Sequence, residues 1–339
     1  MSYYRRWIHK KERLLTLRDT NRRVLPFEWG LEWLGLAANG GADPLGRLQQ
    51  YADKALQESD TYFTPPPLSD YCLNGDRLSF PSPTPGQDLF NNTAYCRLFP
   101  APDSSKAVVV VPQWNCDPGS HVGLCRILQR LGFTVARLCL PYHEERRPPG
   151  MERADYMVSP NIGRTLYATR QGVLEVRRLV EWLRSRGHSQ IAVMGTSLGS
   201  CVAYLAFTHD PSIATGVFNH VSAFFADVVW FGLSTRFVRW GLEGRIEPRA
   251  LRRCWAPISP YHFVRRLKKR PRPHLLISAK YDLTFLPELT EKVFDQYRAH
   301  QIPCDRALLP CGHYTTARFP FKHLDGWHIC RYLRSQLRG

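Results

Sequence analysis

From residue 107 onward, short apolar runs alternate with stretches whose apolar positions recur every three to four residues. The run Ala107-Val108-Val109-Val110-Val111 lacks the alternation of a half-exposed strand, so it predicts a strand covered on both faces. Leu124, Ile127, Leu128 and Leu131 mark a helix, and residues 134–140 a second buried strand. A long helix is predicted over 164–186, with Leu166, Val173, Val176, Val180 and Leu183 on one side and Gly187 as its stop; a strand follows at 190–194. A helix from Leu198 to before Pro211, strands at 215–221 and 274–279, a helix at 288–300, a short strand at 304–309 and a terminal helix at 323–337 complete the series. This rhythm predicts an α/β fold with a mostly parallel central sheet and helices on both faces.

The earlier part of the chain reads differently. Residues 3–36 mix Arg clusters with Trp7, Leu14, Phe27, Trp29, Trp33 and Leu34, a pattern for a helical arm that packs on its own chain or on a second copy in a homodimer. Asp43 ahead of Pro44 caps a short helix carrying Leu45, Leu48, Ala52, Ala55 and Leu56. Residues 71–80 and 93–99, set among Pro and Gly, read as two antiparallel strands. Residues 223–260 break the α/β rhythm with Phe224, Phe225, Val228, Val229, Trp230 and further aromatics. They form either an extra layer shielding the sheet or a cap walling an apolar pocket. Their place beyond the C-terminal end of a sheet strand favours the cap, since α/β folds bind ligands there. The expected plan is an N-terminal helical arm (1–64), an α/β core (65–222 and 261–339) and an inserted small helical cap (223–260).

Composition narrows the class. With 339 residues, 44% of them hydrophobic, the chain buries an independent core without metal or disulfide staples. Its formal charge is +17, with the Arg spread along the whole length. That field attracts anionic solutes or lipid, leaving peripheral membrane contact open. No zinc-finger spacing, GxxG clamp or basic region with heptads accompanies it, so no specific nucleic-acid partner is expected. The ten cysteines contain no CxxC pair and often lie in apolar runs, which predicts buried thiols and a cytoplasmic location. No apolar run reaches the roughly eighteen residues of a spanning helix, and the basic N-terminus lacks the apolar core of a signal peptide.

The chemistry concentrates in Gly195-Thr196-Ser197-Leu198-Gly199, which joins a buried strand directly to a helix. The turn is so sharp that bulk at Gly195 or Gly199 collides with neighbouring backbone, and it pushes the Ser197 hydroxyl out above the sheet. A serine needs a base, and His313 in Pro310-Cys311-Gly312-His313 follows the last short strand onto the same sheet edge. Asp282, just after the strand at 274–279, can orient that histidine or instead cap the turn that follows it; Asp305 and Asp325 are weaker substitutes. His121, His143, His220 and His262 show no metal-ligand spacing, and His220 sits where it can line the pocket. In residues 141–150, Arg146 and Arg147 read as rim residues pairing with Glu144 or Glu145, the alternative being that they hold an anionic group of the substrate.

The order Ser197, Asp282, His313 around a strand-turn-helix GxSxG resembles the α/β-hydrolase superfamily over residues 71–333. The resemblance implies a serine hydrolase that cleaves carboxylic esters through an acyl-enzyme, on a small-molecule acyl substrate with an apolar moiety. Peptidase, amidase or acyltransferase chemistry on the same residues is the alternative; a noncatalytic scaffold with a basic surface is another. No metal and no organic cofactor is implied. The Leu198 N–H matches the superfamily's first oxyanion donor. The second should follow residue 111, where this chain has Pro112, Gln113 and Trp114 in place of the usual His-Gly, so Trp114 N–H is the expected donor. Gln113, His220, Phe224, Phe225 and Trp230 are the expected pocket residues.

Overall fold

Strand burial is complete only in the middle of the sheet and falls away toward both edges. The computed structural model describes residues 3–36 and 43–337, among which nine strands form one sheet. They are β1 (Cys72–Asn74), β2 (Arg77–Pro81), β3 (Thr93–Phe99), β4 (Lys106–Val111), β5 (Thr134–Cys139), β6 (Gln190–Thr196), β7 (Ile213–Asn219), β8 (His274–Ala279) and β9 (Asp305–Leu309). Their spatial order is β1-β2-β3-β5-β4-β6-β7-β8-β9. The pairs from β1 to β5 are antiparallel and those from β5 to β9 parallel. Residues 71–80 are not one strand but most of a hairpin, because Gly75 at φ +60° turns β1 back onto β2.

The helices are α1 (Tyr3–Thr16), α2 (Pro44–Gln57) and α3 (Ser59–Tyr62) before the sheet. Next come α4 (Val122–Arg130), α5 (Ile162–Ser185) and α6 (Leu198–His209) between its strands. Between β7 and β8 lie α7 (Phe225–Phe231), α8 (Arg236–Leu242), α9 (Pro248–Cys254) and α10 (Arg266–Lys269), and α11 (Pro287–Ala299) and α12 (Phe321–Gln336) finish the chain. The valine run of β4 feeds both layers because successive side chains point to opposite faces. Val109 and Val111 pack with Leu179 of α5 and Val202 of α6, while Val108 and Val110 pack with Leu128 of α4 and Leu333 of α12. Asp43 caps α2 as its sequence predicts, its carboxylate accepting from Gly46 N. Among the described residues no helix is long and apolar enough to cross a membrane. None of the ten cysteines forms a disulfide, and seven are buried.

In the loop after β5, Glu145 and Arg147 are exposed, but Arg146 does not join the expected rim. Arg146 is fully buried and meets Glu175 of α5 through two hydrogen bonds of 2.7 Å, while Glu144 pairs with Arg137 and Glu145 with Arg77. Its Nη1 and Nη2 also reach the carbonyls of Cys139 and Asn91, while Nε is buried without a partner among the described residues. This network ties the loop to the long helix.

The N-terminal arm packs on its own chain. Residues 28–30 run beside the start of α5, with Ile162 N donating to Glu28 O and Gly163 N to Trp29 O. A Cβ on Gly163 would stand 1.9 Å from Gly30 O, so only glycine permits that approach. Farther up the arm, the fully buried Glu12 of α1 accepts from Tyr314 N at 2.9 Å and Thr315 N at 2.8 Å, and Tyr4 donates to Pro310 O. The arm thus grips the loop that carries His313.

Replacing Arg146 by Met strands the buried Glu175 carboxylate and should cost about 3–5 kcal/mol, read by urea unfolding. Glu12→Gln sets an amide NH2 against one of the two backbone donors; the same measurement should register a loss of about 1–3 kcal/mol.

Candidate active site

Strand β6 ends at Thr196, one residue before the point of a strained turn. Ser197 has φ +56° and ψ −121°, a conformation that side chains rarely adopt and that the surrounding packing must impose. The glycines on either side explain how. A Cβ at Gly195 would lie 2.1 Å from Gly199 O, and one at Gly199 would lie 2.2 Å from Val111 O and 2.3 Å from Pro112 O. The turn is therefore wedged against the end of β4, and Ser197 N is held by Asn219 O at 2.8 Å.

Three side chains from different loops meet at this turn. Ser197 Oγ lies 3.1 Å from His313 Nε2, and His313 Nδ1 lies 3.0 Å from Asp282 Oδ2. Asp282 Oδ1 accepts from Thr284 N and Phe285 N at 2.7 Å each, capping the following turn, while Oδ2 faces the imidazole. Phe285 stacks parallel to the His313 ring at 5.1 Å. Asp325 is elsewhere, accepting from Asn219 Nδ2 beneath the turn, and burial pushes its carboxyl up to about 7. Asp305 is exposed at the start of β9.

The electrostatics of the group follow from burial and pairing. Burial alone would raise the Asp282 carboxyl, but His313 and His220 overcome it and hold Asp282 well below the usual carboxylate range. Burial would likewise lower His313; the charge and hydrogen bond of Asp282, with Glu12 adding, raise it above its ordinary 6.5 instead.

Sequence reasoning placed His220 in the pocket. It sits instead behind Asp282, its Nδ1 3.1 Å from Oδ2, at φ +63° and with its ring 4.7 Å from that of His313. Neither of its nitrogens is aligned for a hydrogen bond. His121 also enters the neighbourhood, its Nε2 3.0 Å from Thr196 Oγ1, where burial pushes its imidazole down to about 4. His143 is structural, its Nε2 accepting from Asn115 N and its Nδ1 donating to Pro141 O.

Ser197 does not stand in open solvent. It is 8% exposed and faces a cavity of about 50 Å³ walled by Trp114, Leu198, Phe224, Phe225, Val228 and Phe285. Gln113, His220 and Trp230 are not among the cavity's lining residues, whereas Phe224 and Phe225 are. Trp114 spends its indole N–H on Ala154 O at 2.8 Å, which fixes the ring over the cavity. Leu198 opens α6, so its N–H has no partner within the helix and points from its positive end. A larger polar basin of about 330 Å³, between residues 18–21 and 143–154, contains none of Ser197, Asp282 and His313.

Glu12 and Arg22 are the neighbours that sequence reasoning missed. Arg22, only 5% exposed, donates to Ser234 O beside the cavity and to Tyr314 Oη next to His313, and pairs with Asp19. Neither residue sits in a motif, and apart from the neighbouring Asp19 the partners named here lie more than 200 positions away.

No protein-family model matches this sequence, and no curated protein does. Solved structures do share its architecture. An acetyl xylan esterase from Paenibacillus sp. R4 superposes with a TM-score of 0.60 at 16% identity, covering 87% of this chain and 100% of its own. The Pyrococcus horikoshii acylaminoacyl peptidase gives 0.55 at 12% identity over 73% of this chain, which spans only 40% of that peptidase. Acetyl xylan esterase 1 from Thermoanaerobacterium sp. JW/SL YS485 gives 0.56 at 14% identity, covering 86% of this chain and 93% of that one. With its mostly parallel sheet, flanking helices and these structural neighbours, this chain has the fold of the α/β-hydrolase superfamily.

Proposed function

We propose that this protein is a serine hydrolase that cleaves short-chain carboxylic esters, with Ser197 as nucleophile, His313 as general base and acid, and Asp282 as the group orienting it. The observation that carries the reading is the 3.1 Å approach of Ser197 Oγ to His313 Nε2 at the wall of an apolar cavity. In this mechanism Ser197 attacks the acyl carbonyl as His313 takes its proton. His313 then protonates the leaving alcohol, and water releases the acyl group by the reverse sequence. The N–H groups of Leu198 and Trp114 are assigned to the oxyanion of the tetrahedral intermediate. Helices α7–α9 serve as the cap, since Phe225 and Val228 of α7 wall the cavity.

The size of the chamber supports a small acyl group. The cavity beside Ser197 is narrow and walled mostly by apolar side chains, which suits a small acyl group. Amide hydrolysis is the second reading, favoured by the likeness in fold to the acylaminoacyl peptidase, and it uses the same three residues.

A fluorophosphonate probe should label Ser197 in the wild type and nothing in Ser197→Ala, which should also lose p-nitrophenyl acetate hydrolysis by orders of magnitude. Unlabelled Ser197 in folded protein overturns the nucleophile assignment. Across a series of p-nitrophenyl esters, acetate and butyrate should outrun octanoate, and a parallel series of acyl anilides separates ester from amide chemistry. Because the base must be neutral and its pKa is raised, kcat/KM should fall as pH drops through a value above 6.5. Asp282→Asn removes the charge that raises it, so the remaining activity should titrate at lower pH.

A further inference from the structure

Helix α1 has two faces of opposite character. Ile8, Glu12 and Thr16, spaced four apart, are buried on the body of the protein, where Glu12 holds the Tyr314 and Thr315 amides. The outward face carries Tyr3, Trp7 and Leu14, with Leu17 just past the helix end, at 80%, 43%, 50% and 59% exposure. Spacings of four, seven and three residues put these four in a single stripe. Arg6, Lys10 and Arg13 border or interrupt it on one side and Lys11 and Arg18 on the other, all exposed, and Lys11 Nζ is 5.9 Å from the Trp7 ring centre. The one acid of the helix, Glu12, is on the buried face, so the outward face is purely cationic and apolar.

The chain that receives α1 continues this chemistry. Two residues beyond Thr315–Ala317 stands Phe319, 79% exposed, followed in α12 by exposed Leu324 and Trp327 beside Lys322 and Arg331.

We propose that the outward face of α1 docks the protein on an anionic lipid surface. The cations meet headgroup phosphates, Tyr3 and Trp7 sit at headgroup depth, and Leu14 and Leu17 enter the acyl boundary. Charge selects this occupant over the others. A second copy of the same face would bring five cations against five with no acid between them, and a nucleic-acid backbone would satisfy the cations but leave Leu14 and Leu17 without an apolar contact. Since the inner face of α1 grips the loop of His313, docking sets that loop within about one helix diameter, ~10 Å, of the surface.

The test is flotation of the full-length protein with vesicles, and it does not depend on the catalytic reading. Vesicles of phosphatidylcholine alone and of phosphatidylcholine with about 30% phosphatidylserine are compared, at about 50 and 150 mM salt. Binding is expected on the anionic vesicles only. Trp7→Ser with Leu14→Ser should weaken it at least ~10-fold, and Lys10→Ala with Lys11→Ala on the order of 30-fold. Both variants should keep the wild-type melting temperature, because all four side chains are exposed. Absence from anionic vesicles at low salt overturns the proposal. So does binding that the Trp7/Leu14 variant retains in full, or tighter, stripe-independent binding to a DNA duplex, which would reassign the cations to nucleic acid.

Discussion

Asp282 is a carboxylate almost without solvent contact, in a place where an unpaired anion would cost several kcal/mol, and the local structure is organised around meeting its lone pairs. Two backbone amides take Oδ1, and the imidazoles of His313 and His220 stand at Oδ2. Because the carboxylate is ionised and immobile, it dictates which nitrogen of His313 carries the proton and turns the other toward Ser197. His220, at φ +63°, sets a second ring against the same oxygen without an aligned hydrogen bond. The wedged glycines fix the other end of the hydrogen-bonded chain at Ser197, where the backbone has little freedom to relax.

How much of this was legible in the sequence depends on how local the responsible physics is. The valine run of β4 and the apolar stripe of α5 reveal themselves through spacing alone, and β8 falls on the expected 274–279. Gly195 and Gly199 were readable because a strand-to-helix turn leaves no room for a Cβ, a constraint that travels with the motif. The hairpin of β1 and β2 was read as a single strand because Gly75 breaks the segment only through its positive φ, which periodicity does not register.

The missed residues share another property. Glu12, Arg22 and the Arg146–Glu175 pair are charged groups buried by partners distant in sequence, and a charge far from its partner reads as surface. His220 shows the intermediate case, since its position at the end of β7 was visible but the direction of its ring was not. The N-terminal arm, which falls outside the stretch resembling the superfamily, proves to be in contact with both the loop of His313 and the segment walling the cavity. Through Arg22 it links Ser234 to Tyr314, so two parts of the site that never touch in sequence share one guanidinium.

That arrangement bears on biosynthesis. Glu12 leaves the ribosome about 300 residues before the amides it accepts from, a delay of roughly 15–60 s at ordinary elongation rates of about 5–20 residues per second. Through that interval Ile8 and the carboxylate of α1 have no seat to occupy. The strands can pair as they emerge, but closure onto α1 waits for Tyr314 and Thr315, so the surroundings of His313 are completed only after that segment has been made.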